Sequence, residues 1–164
     1  MLHVFICYGG NEGELIGSNL RAYLRKNAID AFLASPQDPD IPAGTEDFNK
    51  FIDGKLLSSN LMIPICNSGI HRSEPATREI QLAKQKKIPI VAFARKRCVL
   101  PKLIKKSWQP IRFDPDCPEE TYPSLLLEIY RRVDYERELS EDLNLKRPAE
   151  LLLPKQLLRF FGRP

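Results

Sequence analysis

The sequence predicts an α/β fold in which a five-stranded parallel sheet carries helices on both faces. Short apolar runs alternate along the chain with segments whose apolar residues recur at helical spacing. Strands that alternate with helices form parallel sheets, because parallel neighbours need crossover connections. The 164 residues correspond to one domain, and this length supports a hydrophobic core without disulfides or a structural metal.

The strands are predicted from apolar runs that end at glycine, proline or serine. They are Leu2–Tyr8, Ala31–Ala34, Leu61–Cys66, Ile88–Phe93 and Pro110–Phe113. The fourth run contains a proline near its beginning, and proline fits only the start or the edge of a strand.

Four helices are predicted between and after these strands. The first ends at Lys26 and has Leu15, Leu20, Tyr23 and Leu24 at helical spacing; the second starts after an N-cap at Thr45 and carries Phe48, Phe51, Ile52 and Leu56. The third spans Pro75–Lys87 with an apolar stripe of Ala76, Ile80 and Ala83; the fourth spans Tyr122–Leu139 with Leu125, Leu126, Ile129 and Val133 facing inward.

Residues 1–139 are predicted to form the domain and residues 140–164 a C-terminal tail. The tail breaks the last helix near Leu143 and is apolar between Ala149 and Phe161. Three interpretations stay open for it: a helix docked on the domain, a partner-binding helix, or part of a linker.

Composition and charge exclude several classes of protein. A formal net charge of +4 permits anionic ligands but does not require nucleic acid as a partner. The four cysteines form no CxxC pair or Cys/His cluster, so no metal site is expected, and the pattern fits a reducing, cytoplasmic compartment. The chain opens directly into a strand, and no apolar run approaches the roughly 18 residues that a membrane span needs.

Glu79 is the principal candidate for a catalytic residue. It lies one or two turns into the third helix, which follows the apolar run Leu61–Cys66, and on the border of the apolar stripe of that helix. A carboxylate in this place faces the crevice where open parallel sheets bind ligands. The alternative interpretation is a solvated helix residue that pairs with a nearby cation. Glu74 is the other carboxylate within reach.

Four segments match the motifs of a known family in the correct order. Val4–Tyr8 resembles its opening strand, and Phe32–Phe48, with Asp-Ile-Pro-Ala-Gly at 40–44, resembles its second strand and BB loop. Leu57–Ser68 resembles the third strand with its approach, and Ser73–Ile80 resembles a segment that carries a glutamate. Together they resemble Toll/interleukin-receptor (TIR) domains of the small prokaryotic kind, over roughly residues 2–135. Cys7 replaces the commoner serine of the opening motif, and Phe48 stands where tryptophan is usual.

The resemblance implies a flavodoxin-like TIR fold and, with Glu79 as the catalytic residue, an enzyme that consumes NAD+. Such an enzyme releases nicotinamide by hydrolysis or cyclises the product to a signalling nucleotide, with NAD+ as substrate and no bound cofactor or metal. The family likeness further implies self-association through TIR–TIR contacts, a role in prokaryotic antiphage defence, and a second effector protein as a possible partner. Neither nucleic acid nor a membrane is an expected partner.

Candidate nucleotide-binding residues lie around the carboxyl ends of the predicted strands, where ligands bind such sheets. They are Tyr8, Gly9, Gly10, Phe32, Ala34, Ser35, Phe48, Ser68 and Arg78. Glycine lets backbone N–H groups approach a diphosphate. Structural roles are the alternatives: a turn at the glycines, core packing for Phe48, a turn or cap for Ser68 and a surface charge for Arg78.

Two other functions remain open at this point. A non-enzymatic TIR scaffold binds other TIR domains, and the glutamate on the third helix disfavours it. A nucleoside deoxyribosyltransferase-like enzyme shares the flavodoxin-like topology and a glutamate that attacks C1′ of the sugar. The BB-loop segment at 40–44 favours the TIR assignment over the transferase.

Overall fold

The computed structural model describes residues 1–42, 44, 47–104 and 109–142, with the backbone alone for 137–142. Five strands and four α-helices follow one another along the chain in the predicted α/β order. They are β1 (Leu2–Cys7), α1 (Gly10–Lys26), β2 (Ile29–Leu33), α2 (Phe48–Leu57), β3 (Leu61–Cys66), α3 (Glu74–Gln85), β4 (Phe93–Arg95), β5 (Ile111–Phe113) and α4 (Tyr122–Asp142). Short 3₁₀ turns at Ile70–Arg72 and Pro118–Thr121 precede α3 and α4.

The strands form one parallel sheet in the order β2-β1-β3-β4-β5. In the register of the central pairs, Val4 lies opposite Ala31 on one side and Leu61 on the other. From β1 the chain passes first to β2 on one side, and then crosses back over β1 to β3 on the other side. In open α/β sheets this switch point creates the crevice that binds ligands, so the space above the carboxyl ends of β1 and β3 is the first place to look for a site.

Each face of the sheet carries its own pair of helices, as predicted. On one face the strand residues pack with Ile16, Leu20 and Leu24 of α1 and with Leu125, Leu126, Ile129 and Val133 of α4. On the other face they pack with Ile52 and Leu56 of α2 and with Ala76, Ile80 and Ala83 of α3. Burial of these aliphatic side chains, worth roughly 1.5–3 kcal/mol for each fully buried one, holds the layers together. α3, which carries Glu79, and α1 therefore flank β1 from opposite sides.

Two details of the predicted helices are wrong. Leu15 is 65 % exposed, because the inward face of α1 is formed by residues one position further on, such as Ile16. The predicted N-cap Thr45 lies outside the described residues, and the side chain that caps α2 is that of Asp47. Its carboxylate accepts a hydrogen bond from the Lys50 backbone N–H at 3.0 Å, which satisfies one of the unpaired donors of the first turn.

The fourth strand is shorter than predicted and starts later. Residues 88–92 contribute one isolated bridge, between Ile90 and Met62, before the regular ladder begins at Phe93. The Met62 N–H donates to the carbonyl oxygen of Pro89, on the side of β3 that faces β4. Backbone nitrogens two residues apart along a strand point to the same side, so the nitrogen of Pro64 also faces β4. Proline has no N–H to donate, and the ladder is interrupted there.

The ends of the last two helices also differ slightly from expectation. α3 begins one residue earlier than predicted, at Glu74, because the Ser73 hydroxyl caps it by accepting from the Ala76 N–H at 3.2 Å. α4 continues to Asp142, three residues past the predicted domain boundary at 139. The tail interpretations concern residues 143–164, which lie outside the described part of the chain. Within the described residues, no helix is long and apolar enough to cross a membrane.

The segment after β2 is fixed to α1 by a partly buried ion-pair network. The Arg21 guanidinium donates to the Asp38 carboxylate at 2.6 Å, and the Asp38 side chain is fully buried. Arg21 also contacts Asp40 at 3.1 Å, and Arg25 bridges to the same carboxylate. Because a buried carboxylate is stable only when paired, this network holds the start of the BB-loop segment against α1.

Candidate active site

Glu79 is buried on the inner side of α3 rather than solvated. Its exposed fraction is 4 %, although a glutamate is among the residues that are seldom fully buried without a partner. The helical spacing explains this, since Ala76, Ile80 and Ala83 are buried on the same side of the helix. The interpretation of Glu79 as a solvated surface residue is therefore wrong.

The alternative carboxylate, Glu74, lies elsewhere on the same helix. It is exposed at the first position of α3 and lines a hollow of about 250 Å³ on the outer side, together with His71, Arg72, Ser73, Thr77, Arg78 and Gln81. Glu74 is thus separated from the sheet edge by the helix itself. Of these two carboxylates, only Glu79 faces the end of β1.

The Cys7 thiol, at the last position of β1, is the polar group that faces Glu79. It is fully buried and lies 3.8 Å from the carbonyl oxygen of Ala76, one helical turn before Glu79. Burial, and then the neighbouring Glu79 charge, raise the pKa of the thiol well above its usual value, so the thiol stays protonated and acts as a donor. Cys7 therefore stands where it can hydrogen-bond the carboxyl of Glu79.

The environment of Glu79 favours the protonated acid. Burial raises the pKa of its carboxyl from 4.5 to about 7; the Cys7 thiol and the Arg78 charge lower it, and the Asp53 charge raises it. A carboxyl that is half ionised near neutral pH is typical of functional sites, because a structural carboxylate is normally stabilised by a close cation.

Arg78 does not point towards Glu79 but reaches across to α2. Its guanidinium donates to the Asp53 carboxylate at 2.7 Å, and both side chains are about one-third exposed. The pair ties α2 to α3 next to the buried glutamate. The predicted contact between Arg78 and a phosphate stays a prediction, and it would compete with this ion pair.

Gly9 and Gly10 form the turn between β1 and α1, and this turn packs against the loop after β3. A Cβ on Gly9 would lie 2.5 Å from the carbonyl oxygen of Gly69, which leaves room for glycine alone. Gly10 has φ +72°, in the left-handed region that glycine adopts without strain. Close packing of two turns at the switch point thus explains Gly9, and the left-handed backbone explains Gly10. Their contact with a diphosphate stays a prediction.

Tyr8 and Ser35 lie together at the carboxyl ends of β1 and β2, as their positions predicted. The Ser35 hydroxyl donates to the Glu14 carboxylate of α1 at 2.6 Å, and Ser35 is only 3 % exposed. Burial raises the pKa of the half-buried Tyr8 hydroxyl, which interacts with both Ser35 and Glu14 and also senses the charge of Glu79. These polar groups therefore surround the end of β1 on the side of α1.

The remaining predicted residues occupy different surroundings. The ring of Phe32 packs in the core, with its centre 5.7 Å from the ring centre of Phe5 and 6.1 Å from that of Phe51 on α2. Phe32 is therefore part of the hydrophobic core. Ala34 and Phe48 are half-buried against the same cluster, at the margin of the described BB-loop segment. Ser68 is exposed in the loop after β3. Their contacts with a nucleotide stay predictions.

Sequence reasoning missed Glu14 and Asn67. Asn67 is 1 % exposed, donates to the Glu12 carboxylate at 3.1 Å and accepts from the Ile70 N–H at 3.2 Å, which fixes the loop after β3. Glu14 lies in the second turn of α1, where an acidic residue is typical of a solvated face. The only signal for its role was its position on the helix that follows β1, the strand at the predicted crevice.

Comparison with known proteins agrees with this fold. The family model of the TIR domain matches residues 4–127, and the chain therefore belongs to the TIR domain family. No match is found among curated protein sequences.

Three solved structures illustrate the similarity of fold. The TIR domain of the Toll-related receptor TRR-2 from Hydra magnipapillata superposes with a TM-score of 0.60 at 17 % identity, covering 80 % of this chain and 97 % of its own. The TIR domains of the activated Roq1 resistosome, which recognises the pathogen effector XopQ, give 0.51 at 12 % identity, covering 84 % and 76 %. A 2-deoxyribosyltransferase from Bacillus psychrosaccharolyticus also gives 0.51, at 13 % identity, covering 68 % and 85 %. At these identities the likeness concerns the fold alone.

Proposed function

We propose that this TIR domain cleaves NAD+ into nicotinamide and ADP-ribose, with Glu79 as the catalytic residue. The observation that carries the proposal is the burial of Glu79 beside the carboxyl end of β1, at the switch point of the sheet, where its closest cation is already paired with Asp53. A buried carboxyl without a free cation beside it lowers the stability of the fold, and such destabilising groups occur mainly at functional sites.

The chemistry requires little more than one well-placed carboxylate. When the bond between C1′ and the nicotinamide nitrogen breaks, its electron pair stays with the nitrogen, and the positive ring leaves as neutral nicotinamide without a general acid. The ribose is left electron-poor at C1′, and an adjacent carboxylate stabilises that charge or attacks the carbon, as in glycosidases. Water then supplies the new oxygen on C1′, and its proton passes to the carboxylate or to solvent.

The raised pKa of Glu79 fits this role when the substrate is bound. With a pKa of about 7, the carboxyl is about half ionised at neutral pH in the free protein. The positive nicotinamide ring favours the charged form, so binding of NAD+ increases the ionised fraction. The same attraction brings the ring and its C1′ towards the carboxylate.

Access to Glu79 requires a rearrangement of its surroundings, because only 4 % of the residue is exposed. Side chains next to the carboxyl must move apart before a ribose reaches it. We propose that self-association through TIR–TIR contacts stabilises the open arrangement and completes the pocket. Activity is then expected to rise more steeply than in proportion to protein concentration.

The test is chromatography of NAD+ incubated with the protein over a range of concentrations. The wild type is expected to release nicotinamide, and Glu79→Gln to release none, because the amide keeps the shape but lacks the charge. Glu74→Gln is the matched control on the same helix and is expected to retain wild-type turnover. Equal turnover by the wild type and Glu79→Gln would refute the catalytic role.

The product and the biological setting belong to the same proposal. Cyclisation of ADP-ribose replaces hydrolysis if water is excluded while the adenine folds back to C1′, and the same chromatography separates the two products. The family likeness supports an effector role in prokaryotic antiphage defence, alone or with a second effector protein, and a cytoplasmic location where NAD+ is available. Phage challenge of cells that express the wild type or Glu79→Gln tests this role.

A scaffold without enzymatic activity is the remaining candidate within the family. The Roq1 resistosome is an assembly that contains TIR domains. If this chain assembles but releases no nicotinamide at any protein concentration, the scaffold function replaces the enzymatic one. Glu79→Gln would then leave assembly unchanged.

A further inference from the structure

A second carboxylate faces the end of β1 from the opposite side of the sheet. Glu14 lies on α1, whereas Glu79 lies on α3, and these helices cover opposite faces. Tyr8, the first residue beyond β1, lies next to Glu14, and the Glu14 carboxylate accepts from Ser35 just beyond the end of β2. A ligand bound over the end of β1 would therefore have the partly exposed Glu14 on the α1 side, whereas Glu79 is buried on the α3 side.

The contacts of Glu14 leave part of its carboxylate available to a ligand. One oxygen accepts the only hydroxyl proton of Ser35, at 2.6 Å, and the Tyr8 hydroxyl hydrogen-bonds the same carboxylate; two such contacts still leave acceptor positions on its two oxygens. Glu14 is partly exposed, and the ion pairs found among the described residues do not include it. Its neighbour Glu12 differs, because that carboxylate already contacts Asn67 at 3.1 Å and Arg95 at 3.4 Å.

The chemistry of this cluster selects hydroxyl groups and rejects phosphates. A carboxylate only accepts hydrogen bonds, and two vicinal hydroxyls donate to it well. A phosphate in the same place would meet a like charge. The Tyr8 hydroxyl, which both donates and accepts, can complete the contacts of a sugar hydroxyl.

We propose that Glu14, positioned by Ser35 and aided by Tyr8, binds the vicinal hydroxyls of a ribose of the dinucleotide and thereby selects ribose over 2′-deoxyribose. This inference rests on the proposed function for the identity of the substrate, although it concerns a different residue. The site is therefore expected to bind a deoxyribose more weakly than a ribose, because a deoxynucleoside lacks one of the two hydroxyl donors. The site therefore differs in sugar preference from an enzyme that transfers deoxyribose on the same fold.

The experiment compares binding and turnover of NAD+ with those of two analogues. One analogue lacks the 2′-hydroxyl of the nicotinamide-side ribose, and the other lacks that of the adenosine ribose; together they identify which ribose Glu14 holds. Binding is measured by titration calorimetry in Glu79→Gln protein, so that it does not depend on turnover. The second substitution is Glu14→Gln, with Glu12→Gln, two residues earlier on the same helix, as the control.

Glu14→Gln is expected to weaken NAD+ binding about 10- to 100-fold, the effect of one hydrogen bond to a charged group. It is expected to weaken the binding of one of the two analogues by a smaller factor, because one of the two hydroxyl donors is already missing there. Glu12→Gln is expected to leave the preference for NAD+ over that analogue unchanged. Circular dichroism confirms that each variant is folded.

Two results would overturn the inference, and they are distinct from failure of the enzymatic proposal. Equal effects of Glu14→Gln on NAD+ and on both analogues, or no effect on any, would show that Glu14 holds no ribose hydroxyl. If wild-type protein nevertheless turns over NAD+, the enzymatic proposal survives without it. Selective binding without turnover would support the ribose site and refute the enzyme.

Discussion

The burial of Glu79 has a thermodynamic consequence that can be measured without any substrate. Its pKa is about 7 in the folded protein, against 4.5 for an ordinary glutamate. Between these two values the folded state binds more protons than the unfolded state, so the free energy of unfolding falls as the pH rises through this window. The difference between the two pKa values corresponds to roughly 3 kcal/mol, which is a large fraction of the stability of a single domain.

Replacing Glu79 with glutamine removes this titration while keeping the size of the side chain. We expect the stability of the wild type, relative to Glu79→Gln, to fall by roughly 3 kcal/mol between pH 4.5 and pH 8 and to level off above pH 7. Urea unfolding at several pH values, followed by circular dichroism, measures this difference, and other titrating groups cancel in it. Glu74→Gln, at an exposed position of the same helix, is the control for the substitution itself.

A constant difference for Glu79→Gln over the same pH range would refute the reasoning. It would mean that Glu79 ionises in the folded protein as it does in the unfolded chain. The carboxyl would then be in contact with water or with a cation, and the main physical argument for its catalytic role would be lost.

Three further predictions concern other parts of the structure. Gly9→Ala is expected to destabilise the fold by roughly 1–3 kcal/mol, because the added Cβ would overlap a backbone carbonyl. Gly54→Ala, where the added Cβ would meet no atom within 4 Å, is expected to stabilise α2 by up to about 1 kcal/mol. Urea unfolding compares the two variants. Arg21→Ala is expected to cost about 3 kcal/mol in the same assay, because it leaves the fully buried Asp38 carboxylate without its closest cation. Cys7→Ala is expected to raise the pKa of the buried glutamate on α3, so nicotinamide release falls at pH 7 and its pH profile moves to higher pH; an unchanged profile would contradict the contact.

The architecture could be predicted from the sequence because burial imposes simple patterns. The apolar runs and the helical periodicity identified the five strands and the four α-helices, since both faces of a parallel sheet are buried. The shortening of β4 was not predictable from its own sequence. Its cause is Pro64 on the neighbouring strand, and this contact appears only after the strands are paired.

The candidate site was predictable only in part. The position of Glu79 after β3 indicated its role, but its place on the border of the apolar stripe left its burial undecided. Glu14 could not be identified, because its partner Ser35 lies 21 residues away and an acidic helix residue is usually solvated. The buried Asp38 was missed for the same reason: its partner Arg21 lies on a different element.

The central claim is that the carboxyl group of Glu79 contacts C1′ of the nicotinamide-side ribose. A crystal structure of Glu79→Gln protein with NAD+ bound tests this most directly, because the variant holds the substrate without cleaving it. We expect the residue-79 side chain to lie within about 3.5 Å of C1′, the contact distance of reacting groups. NAD+ seated with that ribose away from α3 would contradict it.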